Sequence, residues 1–274
     1  MNQMIKKIYP PEKNFIYKVD SLYLNPLLIK HSKASKPLYY ANFLTSFDGR
    51  IATFNTKNKL LLTPNKIKND VDFSLFCQLH AQSDCLVTNT QYISGLNKGH
   101  YGDILSINNK TLEKWRLKNN LPEQKIIILS NSLNFPINKI IEKYKNQITI
   151  LTTSNEFKKI NKFIEKKYNI VKYKGNNITP AILNNFILKN KLRSIYFIAG
   201  PRIVEQMISK NLLDKLYCSV SMGLVGTNYY DKIIRGDYLK KFTNLNLQEM
   251  YIGTKKNNKE KIQTLYQVFN LKGK

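Results

Sequence analysis

The feature that most limits what this chain can fold into is a set of short, almost wholly apolar runs spaced along it. Asp84–Thr88 (DCLVT), Lys125–Leu129 (KIIIL), Ile148–Thr152 (ITILT) and Ser194–Ile198 (SIYFI) each have the length of one strand. Apolar residues at consecutive positions leave no solvated face, so both faces of such strands are covered. That requires a mostly parallel sheet with helices on either side, and the intervening stretches can supply them. Helical segments are expected near Lys139–Tyr144 and over Asn155–Lys167. Thr179-Pro180 opens another, through Leu183, Phe186 and Ile187. Gly200-Pro201 starts a helix with Ile203, Val204, Met207 and Ile208 on one face. Upstream, Pro37–Thr45 reads as a buried strand, and Thr63-Pro64 opens a helix with Val71, Leu75, Phe76 and Leu79 toward the core. Asn169–Tyr173 is strand-like and Leu216–Val220 is a strand. Leu247–Gly253 and Ile262–Phe269 form an antiparallel hairpin around the loop KKNNKEK. The expected class is α/β, with a mixed, mostly parallel central sheet flanked by helices and a closing hairpin. Residues 1–36 read as an irregular N-terminal arm, and residues 37–274 as a single domain without repeats or a long linker.

Composition narrows the function classes. With 42% hydrophobic residues in 274, the chain has enough apolar surface to bury a core and is not a disordered tail. No apolar run approaches ~20 residues, so no membrane-spanning helix is expected. Nor is there an apolar leader near the start, which gives a cytoplasmic expectation. Cys77, Cys85 and Cys218 read as buried free thiols. His31, His80 and His100 lack zinc spacing, so no metal is expected. A formal net charge of +26 invites nucleic acid. Yet only Arg50, Arg116, Arg193, Arg202 and Arg235 are arginine, the residue that reads bases bidentately. The Lys, Asn and Ile excess is what an AT-rich genome writes onto neutral surface positions. Nucleic-acid binding is therefore disfavoured.

Two places combine strand ends with chemistry. Ser46-Phe47-Asp48-Gly49-Arg50 follows a buried strand, where a carboxylate can face a ligand beyond the sheet. Its plainer reading is an Asx-type turn, with Asp48 bonding local backbone and Gly49 supplying positive φ. Ile198-Ala199-Gly200-Pro201-Arg202 carries an apolar strand into a helix N-terminus. Free N–H groups and the helix dipole there favour phosphate, and Gly200 lets a ligand approach the backbone. An ordinary strand-to-helix turn explains the same residues.

In order along the chain, these pieces resemble the riboflavin-biosynthesis pyrimidine reductase domain, the C-terminal half of the bifunctional deaminase/reductase. Ser46–Ala52 is similar to the family's SLDG(K/R)xA opening, and His80–Val87 to LRAxADAILVG. Lys125–Pro136 is similar to RIVLDSxxRxP. Ser194–Gly226 is similar to ILVEGGPxLxxxLLxxGLVDELxLxxxPxLLG, with Ala199-Gly200-Pro201, Leu212–Leu216 and Gly223–Gly226 in register. The deaminase half and its zinc signature have no counterpart here. The resemblance covers roughly residues 37–270 and implies a dihydrofolate-reductase-like fold, NADPH as cofactor, and commonly a homodimer. It implies hydride transfer to the sugar carbon of a ring-opened phosphoribosylamino-pyrimidine.

Carried over by position, Asp48 matches the acidic residue lining the nicotinamide and sugar site, with Thr45 and Ser46 beside it. Ser130 matches the serine near the adenosine 2′-phosphate. Gly200, Pro201, Arg202, Ile203 and Val204 match the helix N-terminus that cradles the pyrophosphate. Asn89 and Tyr92 occupy the positions of a family Gly and Thr at the cofactor. At the substrate, Ile198 stands for a Glu and His80 for a phosphate-holding Arg. Leu129 and Lys215 likewise replace a family Asp and Glu. Ile198 cannot bond a sugar hydroxyl, and a neutral His80 is no permanent cation. The substrate site is thus eroded, and the expectation is a small-molecule reductase with the family substrate or a diverged pyrimidine- or pterin-like one. A non-catalytic binding protein on the same fold is the alternative, and a basic nucleic-acid module ranks behind both.

Overall fold

The computed structural model describes residues 4–13, 15–25, 32–57, 59–131, 133, 139–153, 167–198, 200–235, 239, 242–257 and 260–271. In chain order its strands are β1 (Met4–Tyr9), β2 (Ile16–Lys18), β3 (Leu38–Ser46), β4 (Ala52–Asn55), β5 (Leu60–Leu62), β6 (Cys85–Asn89) and β7 (Lys125–Leu129). They continue with β8 (Ile148–Thr153), β9 (Asn169–Tyr173), β10 (Ser194–Phe197), β11 (Lys215–Ser221), β12 (Tyr230–Asp231), β13 (Asn246–Asn257) and β14 (Glu260–Asn270). The helices are α1 (Asp70–Ala81), α2 (Thr90–Asn97), α3 (Lys110–Lys118), α4 (Lys139–Lys143), α5 (Pro180–Lys189) and α6 (Pro201–Ser209). The chain divides into two compact units: residues 1–25, 39–79 and 204–274 form the first, residues 26–38 and 80–203 the second.

In the second unit the strands lie in the order β10-β6-β7-β8-β9, all parallel. Ile126, Ile127 and Ile128 are consecutive and at most 1% exposed, as a strand covered on both faces requires. Helices contribute Ile93 and Leu96 from α2, Leu112 from α3, and Leu183 and Ile187 from α5. Thr179 caps α5, with its hydroxyl accepting from the Ile182 amide, and Pro180 takes the first helical position.

In the first unit the order is β2-β1-β13-β14-β11-β3, antiparallel except for the β11–β3 pair. A small antiparallel sheet, β12-β4-β5, accompanies it. Ser46, Ser221, Thr264 and Gly253 share one row across four strands, so their side-chain positions lie on one face.

Several local expectations are corrected. Within residues 1–36, read as irregular, β1 and β2 form: Ile5 is buried and β1 pairs with β13. The first helix starts at Asp70 rather than Thr63-Pro64, because Asn69 Oδ1 accepts from the Asp72 amide at 2.8 Å and caps it there. The hairpin strands extend into KKNNKEK until Asn257 faces Glu260. Of the segment Asn155–Lys167, only Lys167 falls within the described residues; Ala199 also falls outside them. The helices α2 and α3 are additional to the sequence reading. No helix among the described residues is long and apolar enough to cross a membrane.

Candidate functional site

In the first unit, β3 ends at Ser46 and the chain turns through Gly49 at φ +82°, a conformation that favours glycine. The turn closes on itself: the Gly49 amide donates to the Ser46 carbonyl and the Arg50 amide to Ser46 Oγ. The Asp48 carboxylate does not follow the Asx-turn expectation. It reaches the loop after β11, accepting from the amides of Gly226 at 2.9 Å and Val225 at 3.3 Å. It also accepts from Ser46 Oγ and pairs with Arg50 at 2.9 Å. Two stretches picked out by resemblance, Ser46–Ala52 and Gly223–Gly226, are therefore bonded to one another, and Phe47 N to Gly223 O adds a further link. Desolvation would raise the Asp48 pKa. The hydrogen bonds from Ser46, Gly226 and Val225 and the Arg50 charge outweigh it and hold the carboxyl below its ordinary value. Asp48 is an anion at neutral pH, an acceptor and not a proton donor. Thr45 and Ser46 are buried, with Thr45 Oγ1 donating to the Ser46 carbonyl.

A second carboxyl in this unit escaped the sequence reading. Asp72 lies in the first turn of α1 and accepts a hydrogen bond from Ser219 of β11. Its Oδ1 is closed to solvent and has no donor among the described residues. Burial pushes its pKa up to about 6 against the pull of that hydrogen bond. Its signal in the sequence is weak, an acidic residue beside the apolar face of Val71, Leu75, Phe76 and Leu79.

In the second unit, β6 to β9 step outward in order, and β10 then returns to the other side of β6. The strand order reverses between β6 and β10, the position where open α/β sheets bind ligands at their carboxyl ends. Asn89 ends β6, and Gly200 follows β10 by three residues. The two meet: among the described residues a Cβ built on Gly200 would find only Asn89 Nδ2, at 4.0 Å. Gly200 is exposed, and space lies open before it. Pro201 opens α6, Arg202 is exposed, Ile203 half-buried and Val204 buried. Ile198 donates its amide to Val87 O at 3.0 Å and offers only an alkyl group.

Other predicted residues are engaged within the fold. Asn89 Oδ1 caps α2 by accepting from the Tyr92 amide at 3.0 Å. The Tyr92 hydroxyl donates to Gly102 O and accepts from Ile104 N. Ser130, at the carboxyl end of β7, is 2% exposed, and its hydroxyl accepts from Leu133 N. His80 precedes β6, toward the amino ends of the strands, and does not join Asn89 and Gly200. It is 1% exposed with Nε2 3.1 Å from Ile104 O, and burial, aided by the Arg116 charge, lowers its pKa to about 4. His80 is neutral at pH 7. Among the described residues no group of three His, Cys, Asp or Glu side chains could hold a metal ion.

Together these strands and helices make an α/β fold, a mixed, mostly parallel sheet flanked by helices with antiparallel strands added, and solved pyrimidine reductase-like structures share it. A crystal structure of a pyrimidine reductase-like protein from Corynebacterium diphtheriae is similar over 92% of this chain and 99% of its own, with a TM-score of 0.68 and 16% identity. RibD from Acinetobacter baumannii matches 86% of this chain with a TM-score of 0.58 and 14% identity. This chain spans only 58% of that protein. The Thermotoga maritima diaminohydroxyphosphoribosylaminopyrimidine deaminase/5-amino-6-(5-phosphoribosylamino)uracil reductase matches 85%, at 0.52 and 9% identity, over 56% of its length. At such identities the likeness is one of fold. No protein-family model matches the sequence, and no curated protein is similar to it.

Proposed function

We propose that the chain is an NADPH-dependent reductase of the riboflavin-biosynthesis pyrimidine-reductase family, acting on a phosphoribosylamino-pyrimidine or a diverged pyrimidine- or pterin-like compound. One observation carries the reading: Gly200, with open space before it, stands beside Asn89 where the strand order reverses. Those residues fit a dinucleotide. The first amides of α6 receive the pyrophosphate, Pro201 fixes the first helical position, and Arg202 adds charge. Ile203 and Val204 serve through their main chain, the buried Val204 side chain anchoring the helix. When bound, the nicotinamide supplies hydride. Thr45 and Ser46 hold the turn that presents Asp48, Ser130 lies toward the 2′-phosphate, and Tyr92 braces the helix capped by Asn89. Asp48 accepts hydrogen bonds from substrate and orients it, while water supplies the proton, because the ionised carboxylate has none to give.

Titrating the protein with NADPH tests this. Saturable binding is expected, and Gly200→Val should weaken it more than tenfold, about 1.4 kcal/mol. Among the described residues Gly200 has room for a side chain, so the variant should fold. Unchanged affinity would move the pyrophosphate elsewhere, and equal binding of NADH would remove Ser130 from the 2′-phosphate. Turnover of the phosphoribosylamino-pyrimidine should be slow, since Ile198 and neutral His80 replace a carboxylate and a cation. Asp48→Asn should cut any kcat/KM at least tenfold, because a charged hydrogen bond is worth ~1.5–3 kcal/mol. Full activity in that variant would return Asp48 to a loop-tying role.

The same two replacements favour a second reading, a binding protein that keeps the nucleotide site without catalysis. NADPH binding with no turnover of any pyrimidine or pterin substrate would support it. The nucleic-acid reading loses further ground. Arg50, Arg193 and Arg235 are paired with Asp48, Asp84 and Asp231, and Arg116 is spent on backbone carbonyls. A homodimer and a single folding domain over residues 37–274 complete the proposal. Sedimentation and one cooperative denaturation transition are the corresponding measurements.

A further inference from the structure

The helix α3 (Lys110–Lys118) holds to the second unit by one face, where Leu112 is its buried side chain. Asn109 caps its start, and Arg116 fixes its end on the carbonyls of Ala81, Ser83 and Pro122. At about 100° per residue, Lys110, Lys114 and Leu117 fall on the side away from Leu112. Lys118 follows Lys114 in the same row, so three ammonium groups span about 12 Å of helix. All four side chains are exposed, Leu117 at 74%. None of the ion pairs among the described residues takes up these lysines. Glu113 is the one acidic residue of the helix. Trp115, the one tryptophan of the chain, is half-buried on the flank between the two faces.

A leucine alone on a surface needs no explanation. Leu117 is not alone: it stands among a row of lysines on a helix anchored at both ends. Lysine stems can lie along an apolar boundary while their ammonium groups reach phosphates above it. That leaves Leu117 to enter the boundary, with Trp115 at the depth where tryptophan rings settle. Nucleic acid would gain nothing from a leucine there and favours arginine, and Arg116 is turned inward to backbone carbonyls. A protein groove that reads a helix needs apolar anchors at three- and four-residue steps, and this face of α3 has one. We propose that the outward face of α3 is a docking surface for anionic phospholipid, seating the chain on a membrane surface without crossing it. The formal net charge of +26 draws the whole chain toward such a surface.

The test uses the whole protein and vesicles of phosphatidylglycerol and phosphatidylcholine in equal parts, with vesicles of phosphatidylcholine alone as the contrast. Co-sedimentation with the anionic vesicles is expected, weakening as salt rises. Because Trp115 is the one tryptophan, its quenching by lipids brominated high on the acyl chain reports α3 and nothing else. Replacing Lys110, Lys114 and Lys118 together with glutamine should cut binding about tenfold or more, since each lysine near the surface adds roughly fivefold. Leu117→Ser should cut it roughly fivefold. The same charge removed elsewhere in the unit, by glutamine at the exposed Lys174, Lys189 and Lys191, should leave binding nearly unchanged. All these positions are exposed, so the variants should fold. No binding, equal binding to neutral vesicles, or binding with Trp115 unquenched overturns the inference. So does an equal loss in the two lysine triples, which would make net charge the cause. Capture of a single-stranded oligonucleotide that needs the α3 lysines but not Leu117, without vesicle binding, would assign the face to nucleic acid instead.

Discussion

Replacing Arg116 with alanine is expected to lower the stability of the chain by about 3 kcal/mol, since hydrogen bonds from a charged donor are each worth ~1.5–3 kcal/mol and share their cost here. Arg116 stands in α3, a helix whose buried face amounts to Leu112. Its Nη1 donates to the carbonyls of Ala81 and Ser83 at 2.8 Å, and its Nη2 to Pro122. Ala81 is the last residue of α1 and fully buried, so its carbonyl would lose a partner where water cannot reach. Ser83 would fare better, since Gln124 Nε2 also donates to its carbonyl. Lysine at 116 should recover only part of the loss, because an ammonium lacks the planar fork that spans three carbonyls. Chemical denaturation of the three proteins measures this. A change under 1 kcal/mol in Arg116→Ala would mean that the α1 end is held by other groups.

Asp72→Asn is expected to stabilise the chain at pH 8, by up to about 3 kcal/mol, and to change little at pH 4. An aspartate unfolds with its ordinary pKa near 3.9, whereas in the fold burial lifts Asp72 to about 6. Between those values the folded chain holds a proton that the unfolded chain has released, so stability falls as pH rises through the window. Above pH 6 the whole penalty is present, and a shift of about two units at 1.36 kcal/mol each sets its size. Asparagine removes the ionisation and with it the penalty. Denaturation midpoints for both proteins between pH 4 and 8 should diverge upward in favour of the variant. Parallel curves would show that Asp72 titrates in the fold much as it does in the open chain.

The sequence revealed the parts of the fold whose burial is uniform. KIIIL, ITILT and SIYFI were legible as strands because consecutive side chains in each, such as Ile126, Ile127 and Ile128, are buried, and no competing pattern hides them. β1 was concealed for the opposite reason. MIKKIY does alternate, but Lys7 takes a core-facing position, held by Glu12 and Glu249 and lying against the rings of Tyr17 and Tyr251. A buried lysine breaks the hydrophobic period that marks a strand. The helix α3 was hidden because its hold on the rest of the unit is one leucine, the Asn109 cap and the Arg116 hydrogen bonds, none of which makes a stripe. At the candidate site, the Ser46–Arg50 turn was legible because its geometry is local. What Asp48 does was not, since its partners lie 177 and 178 residues along the chain. Gly200 was legible as the place where an apolar strand runs into a helix N-terminus, Asn89 only by resemblance, and the strand order supplies the physical reason for their meeting.

The way the two units share the chain sets an order of assembly during synthesis. Apart from residues 26–38, the second unit is continuous from residue 80 to 203, and its sheet is complete once β10 has emerged. The first unit has its opening strands early but needs β11, β13 and β14, which come last. At ~5–20 residues per second the ribosome takes on the order of ten seconds to cross the interval. Throughout that time β3 lacks its partner in β11, with hydrogen-bonding edges and buried tyrosines such as Tyr39 and Tyr40 exposed to whatever else is in the cell. This nested chain path leaves the N-terminal stretch without β11, β13 and β14 until synthesis is nearly complete.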